Sequence, residues 1–382
     1  MSNASHSDLR VSPVRTRRDW QAFHALPARV RRGDSRWIRP LSLQARQHWA
    51  PRHPYFRHAQ AAAWLALKKG RPVGRISAQV DDLQARAGRP DRGEFGQLDA
   101  IDDEAVFAAL LDTAGAWLRE RGKREIVGPF DLSINQQCGV LVDGFDAPPM
   151  MLMNHNPPYY ASRLEALGYE TAAEMLAYRG SPEYRLPARI GRVMDRLQDR
   201  LTTRAIPRRE LAGEAGTMRK LFNAAWAGNW GFVPLTRDEF EHMIGEMKLL
   251  VRPGWVRIAY RDGRPAGFIV ALPDLNELIA DLDGRLLPTG ALRLLWRLAR
   301  GRNRRARIPL MGIAPEFQQS FRGAAIAYAL IEAVRESLVA SGITLTEQSW
   351  ILADNRGMRT IVEAIDMRVA QRFRVYRRGL AA

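Results

Sequence analysis

At 382 residues, 46% of them apolar and ten of them tryptophan, the chain holds enough core-forming side chain for two domains and is not a disordered protein. A single cysteine, Cys138, excludes a disulfide framework and a cysteine-based zinc site and fits a reducing compartment. The net charge of +17 invites a polyanionic partner, but lysine supplies only Lys68, Lys69, Lys123, Lys220 and Lys248 of the 58 basic residues. Arginine with abundant alanine is also what a GC-rich genome produces, so nucleic acid ranks behind anionic lipid or a phosphorylated ligand.

In chain order, residues 1–9 read as a disordered tail, 10–15 as a short strand and 19–32 as a helix with Trp20, Phe23, Leu26 and Val30 on one face. Residues 62–67 and 72–80 make a predicted hairpin around Lys68-Lys69-Gly70-Arg71, where Gly70 supplies the positive φ of the turn. A strand at 95–101 precedes a helix at 103–118 that Gly122 closes. Strands at 125–130 and 139–142, a helix at 159–167 and a strand at 172–178 complete the first half. No apolar leader and no run of about eighteen apolar residues is present, so the expectation is a cytoplasmic protein, at most peripheral on the inner face of a membrane.

The second half repeats this order. The first hairpin and residues 263–271 share the pattern G-R-P-x-G-x-I-x-A, and the same spacing lays the strand at 11–15 onto 204–208. Glu165-Ala166-Leu167-Gly168-Tyr169 likewise falls near Glu363-Ala364-Ile365-Asp366-Met367. Three matches in one order point to duplication, with each copy a domain. The expected division is 10–185, a connecting helix or linker at 186–201, and 202–382 with a basic amphipathic insertion at 280–306. Each copy reads as an α/β domain with a mixed, partly antiparallel sheet and no run of dinucleotide-binding βαβ units.

An apolar run at 310–314 stops at Pro315; then come Arg322-Gly323-Ala324-Ala325-Ile326-Ala327 and an apolar-periodic helix with Tyr328, Leu330, Ile331, Val334 and Leu338. A buried strand, a small-residue turn and a helix start gather free backbone N–H groups where an anion can sit. Downstream stand Asn355, Met358, Ile361 and Glu363. Together these motifs resemble the GNAT acyltransferases, whose Arg/Gln-x-x-Gly-x-Gly/Ala loop holds the pyrophosphate of acyl-CoA. The resemblance implies two tandem GNAT-like domains, with acyl-CoA as co-substrate held by Met311, Ile313, Arg322, Gly323, Ala324, Ala325, Ala327 and Asn355. The corresponding loop of the first half, residues 97–103, has no glycine cradle and adds carboxylates that repel a pyrophosphate, so that half is expected to be a degenerate copy.

A narrower likeness lies in Asn135-x-x-Cys138-Gly139, in Asn156-Pro157-Pro158-Tyr159-Tyr160, and in Asn223-Ala224-Ala225-Trp226 with Asn229-Trp230-Gly231-Phe232. These segments resemble a bacterial tandem-GNAT group similar to the bacterial ceramide synthases. That likeness implies transfer of a fatty acyl group to a lipid amine such as a sphingoid base. The chain departs from the wider GNAT pattern at Val362, where many members place a general-acid tyrosine, at Asp366 and at Ser320.

An amine acceptor must lose a proton before it attacks a thioester, and Glu347, on a strand expected beside the CoA strand, is the candidate base; its alternative is an ion pair or a loop cap. The oxyanion donor is expected at a backbone N–H of Gly312 or Ile313, with Gly312 either marking a bulge or serving packing. Asn229, Trp230 and Phe232 are candidate acceptor contacts on a lid, or else a cap on the core; Asn135, Asn156 and Tyr159 are candidates from the first half. Within the insertion, Arg293, Arg297 and Arg300 form one helical stripe among Leu, Trp and Ala. Residues 291–305 therefore fit an interfacial helix on an anionic membrane, or a helix packed on the domain with its arginines in water. His48, His53 and His58 have no metal-ligand spacing, and no metal is expected. The reading is an acyl-CoA-dependent N-acyltransferase working by direct transfer. Its competitors are a small-molecule acetyltransferase and an inactive GNAT scaffold.

Overall fold

Both halves of the chain fold in the element order the repeat predicts. The first gives β1 (Leu9–Pro13), α1 (Arg17–Val30), α2 (Ser42–His48), β2 (Ala59–Lys68), β3 (Arg71–Asp81), α3 (Asp82–Arg86), β4 (Arg92–Ala100), α4 (Glu104–Arg119), β5 (Glu125–Gly128), β6 (Val140–Asp143), α5 (Tyr159–Ala166) and β7 (Glu170–Gly180). The second gives β8 (Leu201–Ala205), α6 (Leu211–Trp226), α7 (Arg237–Met247), β9 (Val256–Arg261), β10 (Arg264–Pro273), α8 (Leu275–Ile279), α9 (Gly290–Ala299), β11 (Arg305–Ile313), α10 (Phe321–Ala340), β12 (Leu345–Leu352), α11 (Arg356–Glu363) and β13 (Arg368–Gly379). The computed structural model describes residues 8–186, 188, 191–192 and 200–381. The first seven residues and most of the expected connecting helix lie outside these. The strand expected at 204–208 forms three residues earlier, as β8.

Packing divides the chain into two units, Met1–Glu174 with Asp283–Arg285 and Phe373–Ala382, and Met175–Leu282 with Leu286–Arg372. This differs from the division expected at 185 and 202, because the last strand of each half is exchanged. The end of β7 pairs with β12 of the second unit (Tyr178 opposite Gln348), while the end of β13 pairs with β5 of the first (Tyr376 opposite Gly128).

In the first unit, β1 to β4 are antiparallel neighbours and β4 meets β5 in parallel through Arg92–Glu94 and Glu125–Val127. Helix α4 lays Val106, Leu110 and Leu118 onto this sheet. Its leucines reach the strands because Gly74 and Gly93 present no Cβ where they sit. In the second unit, β12 and β11 pair in parallel, and β11, β10, β9 and β8 follow as antiparallel neighbours. Helix α10 covers that sheet with Ile326, Leu330, Val334 and Leu338, packed in one core with Trp255, Ala259 and Ile269.

The two units treat the end of their parallel strand pair differently. In the first, the chain leaving β5 crosses to β4: the Phe130 N–H donates to the Phe95 carbonyl at 2.8 Å, and Gln79 Nε2 donates to the Phe130 carbonyl at 3.1 Å. Gly96 and Gly128 allow this, since a Cβ at either would strike a carbonyl oxygen, of Phe130 and Phe95 respectively. The last residue of β4 is capped on both backbone groups, with the Tyr159 hydroxyl donating to the Ala100 carbonyl (2.8 Å) and the Ala100 N–H donating to the Tyr160 hydroxyl (3.1 Å). In the first unit these bonds bridge the two parallel strands, and the carboxylates of the loop expected to repel a pyrophosphate are paired, Asp99 with Arg31 and Arg75, Asp102 with Arg163 and Asp103 with Lys68.

Gly96→Ala forces a methyl into the Phe130 carbonyl and is expected to cost about 3 kcal/mol, seen as a lowered urea midpoint. Gly213→Ala, on α6 with open space around it, is expected to be neutral or to stabilise by up to about 1 kcal/mol. Equal effects of the two would contradict the closure.

Candidate functional site

In the second unit the same two strands part. β11 and β12 pair only from Arg305 opposite Leu345 to Ile308 opposite Gln348, although β11 runs on to Ile313 and β12 to Leu352. Both strands break register at that point. Against β10 the shift falls between Val270 and Leu272, so Ile308 and Pro309 together oppose Ala271; against β7 it falls between Gln348 and Ile351. A bulge bends its strand, and two bulges at one level drive the pair apart into a wedge. Pro309 has no N–H to lose there. The bulge expected at Gly312 therefore lies three residues earlier. Gly312 sits in regular register opposite Phe268, and a Cβ there would meet the Phe268 ring at 2.8 Å and the Ala225 methyl at 3.0 Å, so its reason is packing.

Three bonds set which backbone groups face the wedge. The Ala314 N–H donates to the Ala266 carbonyl of the β10 side at 2.9 Å, whereas the carbonyls of Met311 and Ile313 accept from Trp226 Nε1 (3.2 Å) and Gln318 Nε2 (2.9 Å). Alternate residues of an antiparallel ladder turn their groups to opposite sides. Gly312 hence bonds toward β10, while the N–H groups of Met311 and Ile313 turn away from it, to the side where pairing with β12 has ended. Of the two expected oxyanion donors, the Ile313 N–H turns to the β12 side, as does that of Met311, and the Gly312 N–H turns toward β10.

The loop after β11 is a turn at Pro315–Phe317, then Gln318, Gln319 at φ 53° and Ser320, the N-cap of α10. Ser320 Oγ donates to the Phe317 carbonyl (2.5 Å) and accepts from the Gly323 N–H (3.1 Å), and the Ala324 N–H bonds the Ser320 carbonyl. The first-turn N–H groups of Phe321 and Arg322 precede those bonds at the positive end of a twenty-residue helix. Gly323 is required because a Cβ would strike the Phe317 carbonyl. Arg322 is exposed, and the Arg261 guanidinium lies 5.4 Å over the Phe317 ring, so two cations flank the turn. Donors and charges of this kind fit a pyrophosphate. Ala325 and Ala327 point into the core, and Ala324, Met311 and Ile313 are half-buried against it. Asn355 caps α11, its Oδ1 accepting from the Met358 N–H at 3.1 Å.

At the foot of the wedge lies a buried polar cluster. Glu347 is fully buried, and its carboxylate meets Arg179 at 2.8 Å, Arg307 Nε at 3.8 Å and the Ser349 hydroxyl at 2.7 Å. Arg307 Nε also donates to Ser349 Oγ at 2.9 Å. Glu347 thus has the ion pair that was its alternative reading, at the level where the strands part. Val362 is wholly buried and part of the core. A tyrosine reaches the same helix from β7: the Tyr178 hydroxyl donates to Glu363 Oε1 at 2.6 Å and accepts from Arg359 Nε at 3.1 Å. Burial pushes its pKa up, so the group stays protonated. Lying far from α11 in sequence, it had no signal to betray it.

The Asn229–Phe232 loop begins at the end of α6, where Trp226 and Ala225 are already tied to β11 and Gln318. Asn223 clamps the far side of the loop through both backbone groups of Leu235 at 3.0 Å. Phe232 is buried against Phe222, with centroids 5.7 Å apart, and so anchors the core; Asn229 and Trp230 are half-exposed. In the first unit the Asn156 amide is occupied by both backbone groups of Leu141 and by the Pro157 carbonyl, and the Asn135 N–H donates to Ser133 Oγ. Tyr159, bonded to Ala100, has its pKa pushed up to about 12 by burial. Among the described residues no group of three or more His, Cys, Asp or Glu side chains could hold a metal ion.

No protein-family model matches the chain. It is 42% identical over 363 residues to Protein YghO of Escherichia coli, covering 95% of this chain and 93% of that one. It is 40% identical over 382 residues to the bacterial ceramide synthase of Caulobacter vibrioides, covering 99% of each. Among solved structures it resembles a tandem GNAT protein from the clavulanic acid biosynthesis pathway, with a TM-score of 0.56, 14% identity and 98% and 99% of the two chains covered. A GCN5-related N-acetyltransferase from Sphaerobacter thermophilus matches with a TM-score of 0.54, 10% identity and 99% and 98% covered. These structures share the fold, and the curated relatives share the sequence from end to end. The chain has the tandem GNAT fold and belongs to the family that includes YghO and the bacterial ceramide synthase.

Proposed function

We propose that the protein is an N-acyltransferase that moves an acyl group from acyl-CoA to an amine by direct transfer, using the second unit alone. The observation that carries this reading is the wedge between β11 and β12, open beside a helix start suited to pyrophosphate and closed in the first unit. Acyl-CoA brings an activated acyl carbon and a thiolate leaving group of nearly ordinary acidity. The N–H groups of Phe321 and Arg322, with Arg322 and Arg261, hold its phosphates; the N–H groups of Met311 and Ile313 receive the charge that develops on the carbonyl oxygen. Glu347 is the proposed base, with Ser349 Oγ as its contact toward the wedge. Asn229 and Trp230, on the half-exposed part of their loop, are the proposed acceptor contacts of this unit. The bacterial ceramide synthase relative supports a long-chain acyl group and a sphingoid base or similar lipid amine.

Thermal-shift titration with acetyl-, octanoyl- and palmitoyl-CoA is expected to stabilise the chain by about 2.7 kcal/mol at a hundredfold excess over Kd, most readily with the long chain. Gly323→Ala, which disturbs the loop at Phe317, is expected to lose that response. No response of the unaltered chain to any CoA would remove the reading.

Glu347→Gln is expected to lower kcat by about 100-fold or more with little change in KM for acyl-CoA. It also leaves Arg179 and Arg307 without their counter-charge, at about 3 kcal/mol of stability, so retained CoA-induced stabilisation serves as the folding control. Full turnover in this variant would discard Glu347 as the base.

A further inference from the structure

The insertion helix α9 is turned the opposite way from an ordinary surface helix. Its exposed positions include Leu292, Leu295, Trp296 and Ala299, one apolar stripe at helical spacing beside the exposed Arg293 and Arg300, with the leucines 71% and 58% exposed and Trp296 41%. Leu287, just ahead of it, is 82% exposed. Two of its arginines reach back to the fold, Arg297 half-buried and Arg293 still exposed. Arg297 donates to both oxygens of Asp281 (2.5 and 2.8 Å) and to the Leu278 carbonyl (2.6 Å), and Arg293 donates to Asp281 at 3.0 Å. Arg293 and Arg297 of the stripe seen in the sequence therefore anchor the helix through Asp281, while Arg300 stays exposed beside Trp296.

Charge follows the apolar stripe at one end. The guanidiniums of Arg300 and Arg302 lie 4.7 and 4.4 Å over the Trp296 ring, and no acidic residue occurs between Asp283 and Glu316. A tryptophan between exposed leucines and two arginines matches the layering of a bilayer surface, with acyl chains below and anionic headgroups at the rim. Among the described residues no helix is long and apolar enough to cross a membrane, so the match is to docking on the surface.

The position of the helix within its unit adds direction. It ends just before β11 begins at Arg305, whereas the phosphate-type loop follows the other end of that strand at Ile313. Nine residues of strand separate the two by roughly 26 Å. The apolar stripe and the site suited to the charged head of CoA thus lie at opposite ends of one strand.

We propose that α9 with Leu287 docks the protein on an anionic bilayer, keeping the CoA end in water. That the docked bilayer also delivers the amine acceptor rests on the acyl-transfer reading. Co-sedimentation with vesicles of phosphatidylcholine, with and without phosphatidylglycerol, tests the docking without any turnover. The unaltered chain is expected to pellet with the anionic vesicles. Leu295→Glu with Trp296→Glu is expected to lower partition at least about tenfold, and Arg300→Glu with Arg302→Glu to remove the dependence on phosphatidylglycerol and on salt. Both pairs lie on exposed positions, and retained CoA-induced stabilisation shows that they fold. Undiminished vesicle binding in the first pair overturns the proposal, as does a loss of self-association in place of a loss of vesicle binding. With a vesicle-borne sphingoid base the first pair is expected to lose turnover while keeping it on a soluble short-chain amine. Docking with no turnover on either acceptor would fail the transfer reading and leave the docking standing.

Discussion

Two parallel strands that stop pairing in mid-sheet expose backbone groups that a fold ordinarily cannot leave without partners. In the second unit this happens after Ile308 and Gln348, and the surrounding structure is arranged about it. Trp226 and Gln318 bond the carbonyls that β12 no longer shares the wedge with, and in doing so fix the end of α6 and the loop ahead of α10. The corresponding N–H groups of Met311 and Ile313 remain directed into the wedge. A buried carboxylate between Arg179 and Arg307 seals the foot. Such a cluster does little for net stability compared with apolar packing, but its directional bonds hold the two strands at a defined level where they part.

Duplication makes the first unit an internal control. It has the same parallel pair and the same following helix, and there the gap is filled by the chain leaving β5, with Tyr159 and Tyr160 on the last peptide of β4. Closure and opening both depend on local residues. Glycines at 96 and 128 admit a crossing backbone in one unit; Pro309 and the bulges at the same level prevent re-pairing in the other. In one copy the two parallel strands part, and in the other the chain leaving β5 bridges them.

Much of this was legible in the sequence. The repeated G-R-P-x-G hairpin declared the duplication, the Pro315-to-Ala327 segment declared the strand, turn and helix start, and periodicity located α4 and α10. What escaped were features set by partners distant along the chain. The exchange of β7 and β13 leaves no local mark, so the units given by packing differ from the division read along the chain. Pro309, a proline inside an apolar strand, was the available signal for the bulge that Gly312 was expected to make. The anchoring of Arg293 and Arg297 turned on Asp281, far enough upstream that no sign of the pairing shows in the sequence. The ion pair weighed for Glu347 had no partner named in the sequence, because Arg179 comes from the exchanged strand β7.

The central claim is that the open wedge of the second unit is the chain's sole acyl-CoA site. Isothermal titration of the full chain with CoA measures this directly through its stoichiometry. The account predicts one CoA per chain; two per chain would contradict the closure of the first unit, and none would contradict the site itself.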